Sequence, residues 1–224
     1  MKAILKLSEN LLSNIKHELS YSEEISKLSA LNYNDLITEL TSDDTKKVFW
    51  INIYNAFYQI LYLEIQDNTI YKQHKIAIAG YFFSLDTIEH GILRKGKFVI
   101  GFGFLYNPFY PNFIKKLRVT KLDYKIHFAL NCGAVSCPPI LVYKSDLIVS
   151  QLNLATHSFI ESESDIDYTT KTIFTSKLFL WYYRDFGSVK TIKQITGTVF
   201  NQDFSNFKLK HKPYNWTKQL RNFK

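Results

Sequence analysis

The chain has 224 residues, of which 46% are hydrophobic, and a formal net charge of +8. At this length one compact unit can bury roughly 70% of the surface that the unfolded chain exposes, so we expect a single core. No apolar run reaches the roughly 18 residues of a membrane span, and charge interrupts the opening residues before a signal-peptide core could form. We therefore expect a cytoplasmic protein with no membrane contact.

The last 20 residues are basic, with six Lys or Arg and no acid. Such a tail can touch nucleic acid or an acidic partner. No base-reading motif accompanies it, so we expect a solvated tail and not a nucleic-acid site.

The first 40 residues predict helices, because apolar residues recur there at three- and four-residue spacing. Leu11, Leu12 and Ile15 form one such stripe, and Ile25 and Leu28 belong to the next. We predict an N-terminal helical extension over residues 1–46, and one compact unit over residues 47–224.

A longer helix is predicted from Ser42 or Asp43 to about Ile65, since no Gly or Pro interrupts it and acids occupy its first turn. It is apolar nearly all round, which is typical of a buried central helix. Asn52 then lies on a buried face, where an amide without partners costs about 1 to 3 kcal/mol.

Further along, the sequence predicts a strand over 75–83, a short helix over 84–93 that Ser84 caps, and an aromatic-rich loop over 101–111. A central strand is predicted over 124–130, and mostly helices follow after residue 147. The expected fold is α/β (α+β), with helices packed on a small central sheet.

Four separated blocks resemble the family catalogued as domain of unknown function 547 (DUF547). They are FWINIYNA at 49–56, SLDTIEHGILR at 84–94, HFALNCGAVSCPP at 127–139 and WYYRDF at 181–186. The resemblance extends from about Lys47 to Trp216. It implies a shared fold, and it implies no reaction, because none is attached to the family.

The two cysteines are the first candidates for chemistry. Cys132 follows the predicted central strand and precedes Gly133, so its thiol could be exposed on a tight turn near backbone amides that lower its pKa. That position suits a nucleophile, although a cysteine can equally pack as a small hydrophobic residue. Cys137, next to Pro138, is expected to have a structural or resolving role.

Three ionisable residues complete the candidate site. Glu89 shares a helical face with apolar neighbours, so we expect a buried carboxylate that needs a partner or has a raised pKa. His90 is about 100° further round the helix, so the two side chains are expected to serve different neighbours. His127 lies on the predicted central strand, where a histidine is either a core residue or a base.

Two catalytic arrangements are consistent with these positions. In the first, His127 activates Cys132 and Glu89 orients the imidazole. In the second, His90 is the base and a buried amide such as Asn52 orients it. We favour the first because Glu89 has the better buried placement, and we assign supporting roles to Asn52, Asn131 and Cys137.

The predicted function is that of a cysteine-dependent hydrolase or acyltransferase acting on a peptide or small molecule. A papain-like or transglutaminase-like arrangement of a helix on a sheet would suit it, by analogy only. The alternative is an interaction domain in which the same polar cluster is structural.

Zinc bound by Cys132, Cys137, His127 and His90 is a further alternative. We expect no metal, because the spacing of the two cysteines is long for a zinc knuckle. We expect no cofactor either, and no phosphate-binding glycine loop is present. A disulfide between the two cysteines is the least expected state, because it does not suit a reducing compartment.

Overall fold

The computed structural model describes residues 3–224, so the first two residues of the predicted extension lie outside it. The N-terminal part contains four helices: α1 (Ala3–Lys16), α2 (Ser22–Ala30), α3 (Tyr33–Glu39) and α4 (Asp43–Glu64). The apolar face of α1 packs against α4 and shares its hydrophobic core. The predicted N-terminal helices are confirmed, and they are built into the core, while the boundary at residue 46 stays a prediction.

Helix α4 begins as the sequence predicts. The Ser42 hydroxyl accepts a hydrogen bond from the Thr45 backbone N–H, and the Thr45 hydroxyl accepts one from the Ser42 backbone N–H. This reciprocal cap satisfies N–H groups that have no partner inside the helix. Residues on every side of α4 are buried, so α4 is the central element of the core.

The strands form two small sheets within the described residues. Strands β1 (Ile76–Ile78) and β2 (Tyr81–Phe83) make an antiparallel hairpin. The second sheet has the order β3-β4-β5, from β3 (Asp165–Asp167), β4 (Thr172–Thr175) and β5 (Lys208–His211), with β4 and β5 parallel. The α/β class is confirmed, but α4 takes the central place that we expected a sheet to occupy.

The predicted short helix after β2 is a π-helix, Thr87–Leu93. The Ser84 hydroxyl accepts from the Thr87 N–H at 3.1 Å, as expected of a cap, and the Arg94 N–H reaches back to the Glu89 carbonyl at 2.7 Å. A π-turn holds one more residue than an α-turn, and such turns are frequent at functional sites. Helix α5 (Asn112–Leu117) packs against it.

The predicted central strand over 124–130 is wrong. Residues Tyr124–Phe128 form a 3-10 helix, which the Asp123 carboxylate begins by accepting from the Lys125 N–H. Beyond it, the Asn55 side chain donates to the Ala129 carbonyl at 2.9 Å and accepts from the Asn131 N–H at 2.9 Å. One amide from α4 thus satisfies the backbone groups that a neighbouring strand would otherwise pair.

The C-terminal part is mostly helical, as predicted, apart from the second sheet. Its helices are α6 (Ile148–Glu163), α7 (Leu178–Trp181), α8 (Tyr183–Phe186) and α9 (Val189–Phe200). They build a second hydrophobic cluster that includes Phe128 and Phe186. Within residues 3–224, none of the helices has the length and apolar character needed to cross a membrane.

Candidate functional site

A cavity of about 710 Å³ is lined by residues from both hydrophobic clusters. All four residues predicted to be catalytic line it, together with the second cysteine; they are Glu89, His90, His127, Cys132 and Cys137. Asn52 and Asn131 are not in its lining. The structure therefore gathers into one place side chains that are up to 48 positions apart, as the span from Glu89 to Cys137 shows.

The expectation about the cysteines is corrected. Cys132 and Cys137 are joined in a disulfide, with their Cα atoms 6.0 Å apart. The Asn131 side chain closes this short loop, since it donates to the Pro138 carbonyl at 2.7 Å and accepts from the Gly133 N–H at 2.8 Å. A reversal that brings two cysteines this close permits the bond whatever the amino-acid composition indicates.

Both supporting asparagines are buried and fully used by the backbone. Asn52 donates to the Tyr143 carbonyl at 2.8 Å and accepts from the Tyr143 N–H at 2.9 Å. The buried face predicted for Asn52 is confirmed, and its amide finds its partners on a neighbouring loop. Because both ends of the amide are occupied in this way, Asn52 does not orient His90 as the second arrangement requires.

His127 is oriented by an acid that sequence reasoning missed. Its Nε2 atom lies 2.9 Å from Oδ2 of Asp185, whose side chain has no exposed surface. Burial lowers the pKa of His127, and the nearby carboxylate offsets only part of this effect. A neutral imidazole that donates its Nε2 proton to a carboxylate keeps a lone pair on Nδ1.

Asp185 is the centre of a buried ionic network. Arg94 Nε donates to its Oδ2 at 2.6 Å, and Lys97 Nζ donates to its Oδ1 at 2.9 Å. Burial would raise the pKa of Asp185, but the hydrogen bonds from His127 and Arg94 and the Arg94 charge hold it well below its usual value. A Cβ on Gly103 would stand 2.5 Å from Oδ1, so only glycine lets the loop approach this carboxylate.

His90 is held as a donor. Its Nδ1 lies 2.6 Å from Nη1 of Arg94, and because arginine can only donate, Nδ1 accepts and the ring proton is on Nε2. Burial lowers the pKa of His90 to about 4, so the ring is neutral near pH 7. Its Nε2 lies 3.8 Å from Asp86 Oδ1, and burial raises the pKa of Asp86, another cavity residue, to about 6.

Glu89 is buried, as predicted, but it does not orient His127. Its carboxylate accepts from the Tyr182 hydroxyl at 2.7 Å and from the Tyr54 hydroxyl at 3.3 Å. Burial would raise its pKa, but His90, Arg94 and Tyr182 together bring it below the usual value. It also lies 3.8 Å from His90 Nδ1, so these two side chains share a neighbourhood that we expected to be separate.

Tyr182 connects the two halves of the site. Its ring stacks on the His127 imidazole with centroids 3.9 Å apart, and the Arg94 guanidinium lies 4.6 Å from the centre of the same ring. Together with its hydrogen bond to Glu89, these contacts fix the imidazole from its face. The WYYRDF block that contains Tyr182 and Asp185 is visible in the sequence, but nothing local marks either residue as a partner of His127.

The zinc alternative has no support within residues 3–224, where no three His, Cys, Asp or Glu side chains are grouped so that they could hold a metal ion. The cysteines that would supply two ligands are bonded to each other. Zinc binds thiolates, so neither cysteine is available as a ligand while the disulfide is intact.

Residues 37–160, just over half of the chain, match the family described as protein of unknown function, DUF547. The chain therefore belongs to this family, as predicted; three of the four blocks lie within the match, and the block at 181–186 lies beyond it. No curated protein and no solved structure matches the chain. The match includes Glu89, His90, His127 and both cysteines, and it ends before Tyr182 and Asp185.

Proposed function

We propose that the cavity is the active site of a cysteine-dependent hydrolase or acyltransferase, with Cys132 as the nucleophile once its bond to Cys137 is reduced. The observation that carries the proposal is that Cys132 and His127 line one cavity, while a fully buried carboxylate holds Nε2 of His127. This is the order of nucleophile, base and orienting acid found in cysteine and serine hydrolases.

Of the two predicted arrangements, the geometry supports the first, with the orienting acid replaced. His127 serves as the base because its Nδ1 lone pair is free of the Asp185 bond. Asp185 is the positioning residue, in the place that we expected Glu89 to take. Glu89 acts at one remove, by fixing the Tyr182 ring that stacks on the imidazole.

His90 suits a different role from the base of the second arrangement. Its Nδ1 is occupied by the Arg94 donor, and its neutral Nε2–H is available in the cavity. A fixed neutral donor beside a reacting carbonyl stabilises the negative oxygen that forms during acyl transfer. The role of His90 is therefore electrostatic stabilisation.

The proposed reaction begins with thiol–disulfide exchange with a dithiol reductant. The S–S bond between Cys132 and Cys137 breaks, both cysteines become thiols, and the reductant becomes a disulfide. His127 then accepts the Cys132 proton, and the thiolate attacks the carbonyl carbon. The C–S bond forms, the leaving group departs with the proton from His127, and water or an acceptor nucleophile releases the acyl group from Cys132.

The substrate side of the cavity is aromatic. Trp181, Tyr214 and Trp216 form a cluster with centroids 4.6 to 5.4 Å apart, and Lys72 and Lys218 also contribute to the lining. Aromatic walls favour an apolar acyl or side-chain group, and lysines favour an anionic end. A peptide or small-molecule acyl compound with these features fits.

Alkylation of the thiol tests the proposal. The Cys137→Ser variant leaves Cys132 free, and we expect iodoacetamide to label it at pH 6 faster than it labels Cys137 in the Cys132→Ser variant. An unactivated thiol with a pKa of about 8.5 is almost wholly protonated at that pH. Adding His127→Gln, which can still donate to Asp185 but is not a base, should slow labelling about tenfold or more.

Two matched changes separate the roles of the histidines. His90→Gln keeps a donor and should slow labelling less than His127→Gln, and His157→Gln, at an exposed position on α6, should have no effect. Circular dichroism spectra of all variants establish that they fold. If His127→Gln labels at the rate of its parent, His127 does not activate the thiol, and the interaction-domain alternative becomes the better description.

A further inference from the structure

A loop beside the cavity mouth exposes an unusual amount of apolar surface. We define it as the apolar loop, residues 98–110. Seven of its large side chains are more than half exposed: Val99, Ile100, Phe102, Phe104, Leu105, Tyr106 and Phe109. Scattered apolar residues on a surface are ordinary, but a contiguous patch of this kind marks a contact site for a protein, a ligand or a membrane.

The apolar loop is held in this shape by its backbone. The Phe98 N–H donates to the Leu105 carbonyl at 3.1 Å, and the Asn107 N–H donates to the Gly96 carbonyl at 2.8 Å. At the tip, the Phe102 carbonyl accepts from the Arg184 N–H at 2.9 Å, and the Gly103 carbonyl accepts from the buried Lys97 ammonium. These bonds anchor the loop at its base and tip, so the backbone holds the apolar side chains in their exposed positions.

The charged residues that flank the apolar loop in the sequence are all cations. From residue 91 to residue 122 the chain contains seven Lys or Arg and no Asp or Glu. Two of these cations, Arg94 and Lys97, are buried against Asp185, while Lys115, Lys116 and Lys121 are exposed on α5 and just after it. Exposed aromatic and aliphatic side chains followed closely along the chain by exposed lysines complement a surface that is apolar beneath and anionic above.

We infer that the apolar loop docks on the surface of an anionic phospholipid bilayer, with Ile100 and Phe109 entering the boundary between headgroups and acyl chains. No membrane-spanning helix is needed for such binding. The inference revises the sequence-based expectation of no membrane contact. It is independent of the thiol chemistry, although Val99 also lines the cavity, so docking would bring the cavity mouth close to the lipid.

Sedimentation with vesicles of equimolar phosphatidylcholine and phosphatidylglycerol tests the inference. The intact chain should bind these vesicles and should bind pure phosphatidylcholine vesicles at least about tenfold more weakly, because several lysines lose their anionic partners. The double variant Ile100→Ser/Phe109→Ser should lose about tenfold or more of the partition coefficient, since two exposed apolar side chains no longer enter the bilayer.

Matched controls lie elsewhere on the surface. Leu154→Ser/Val149→Ser changes two exposed apolar side chains on α6 and should leave binding unchanged. Lys115→Glu/Lys116→Glu should weaken binding to the anionic vesicles more than Lys190→Glu/Lys208→Glu, which changes the net charge equally. Both residues of each control pair are exposed, so folding, followed by thermal melts, should be preserved in all four variants.

The inference is overturned if the intact chain does not sediment with the anionic vesicles, or if the apolar-loop variant binds as tightly as the α6 variant. Sedimentation velocity without lipid addresses a protein partner of the same kind: a dimer that Ile100→Ser/Phe109→Ser dissolves would assign the apolar loop to self-association instead. None of these readouts depends on Cys132, so failure here leaves the proposed active site untouched.

Discussion

The cavity has one wall within the family match and one outside it, and the two walls contribute different groups to the site. The wall within the family match contains the groups that could react, His127 and Cys132, and beside them the donor His90. A second wall, outside the match, contains Tyr182, whose ring stacks on His127, and the buried Asp185 bonds the same imidazole. The first wall supplies the sulfur and the imidazoles, and the second supplies the hydrogen bond and the stacked ring that hold His127 in place.

This difference shows why neither wall makes a site alone. Without Asp185 and Tyr182, the His127 imidazole would lose the hydrogen bond at Nε2 and the ring stacked on its face. Without the family wall, Asp185 would be a buried carboxylate with no cation beside it, since Arg94 and Lys97 follow the π-helix. Both halves are needed for an oriented, neutral imidazole.

The largest expected effect comes from neutralising Asp185, the centre of the ionic network that joins the two walls. Asp185→Asn leaves the Arg94 guanidinium and Lys97 ammonium buried without a counter-charge. Removing one partner of a buried ion pair costs about 3 to 5 kcal/mol, and we expect a loss of this size in the free energy of unfolding, measured with urea.

An exposed ion pair is the control for this variant. Asp165 pairs with Lys212 at 3.2 Å and its side chain is 69% exposed, so Asp165→Asn should cost less than about 1 kcal/mol. If Asp185→Asn costs no more than Asp165→Asn, the cations are reached by water, and Asp185 does not hold the two walls together.

The family wall also has its own anchor, which Asn52→Leu removes. The variant leaves the N–H and carbonyl groups of Tyr143 buried without their partners. Each unsatisfied buried group costs about 1 to 3 kcal/mol, so we expect a loss of about 3 kcal/mol with a lower melting temperature. Asn34→Leu, at an exposed position on α3, should change the melting temperature little. A melting temperature of Asn52→Leu equal to that of the native chain would contradict the role of this amide as an anchor.

The sequence predicts correctly those elements whose stabilising residues are close together in the chain. Helix α4 could be predicted because its cap, its acidic first turn and its apolar surface are all written within 22 residues. The burial of Asn52 and Glu89 followed from their helical faces. The 3-10 helix at Tyr124–Phe128 could not be predicted in this way, since the Asn55 amide that satisfies the backbone after it is 74 positions away from Ala129.

The missing part of the site has the same cause. Asp185 is 58 positions from His127 and 91 from Arg94, and an acid in a run of aromatic residues gives no local sign of such partners. The disulfide was rejected on a general argument about compartments, while the bonds of Asn131 that bring Cys132 and Cys137 together are specific to this loop. Side chains that act across the fold are identified only when the fold is known.

The smallest expected effect is a gain in stability, and it concerns Asp86, whose charged form is destabilised by burial in the family wall. Burial, with Glu89 nearby, raises the pKa of Asp86 from 3.8 to about 6. A carboxyl whose pKa is higher in the folded than in the unfolded protein contributes stability when protonated. That stability is lost as the pH rises from about 4 through 6. Asp86→Asn cannot ionise, so at pH 8 it should be more stable than the native chain by about 2 kcal/mol. At pH 4, where the native carboxyl is also neutral in the fold, the gain should nearly vanish.

Urea denaturation at both pH values measures the difference, and Asp35→Asn, exposed on α3, should change stability by less than about 0.5 kcal/mol at either pH. A gain that is equal at pH 4 and pH 8 would mean that the amide improves packing and that Asp86 is not a strained charge. A gain confined to pH 8 would show that the family wall contains a carboxyl that lowers stability, as expected of a group retained for function.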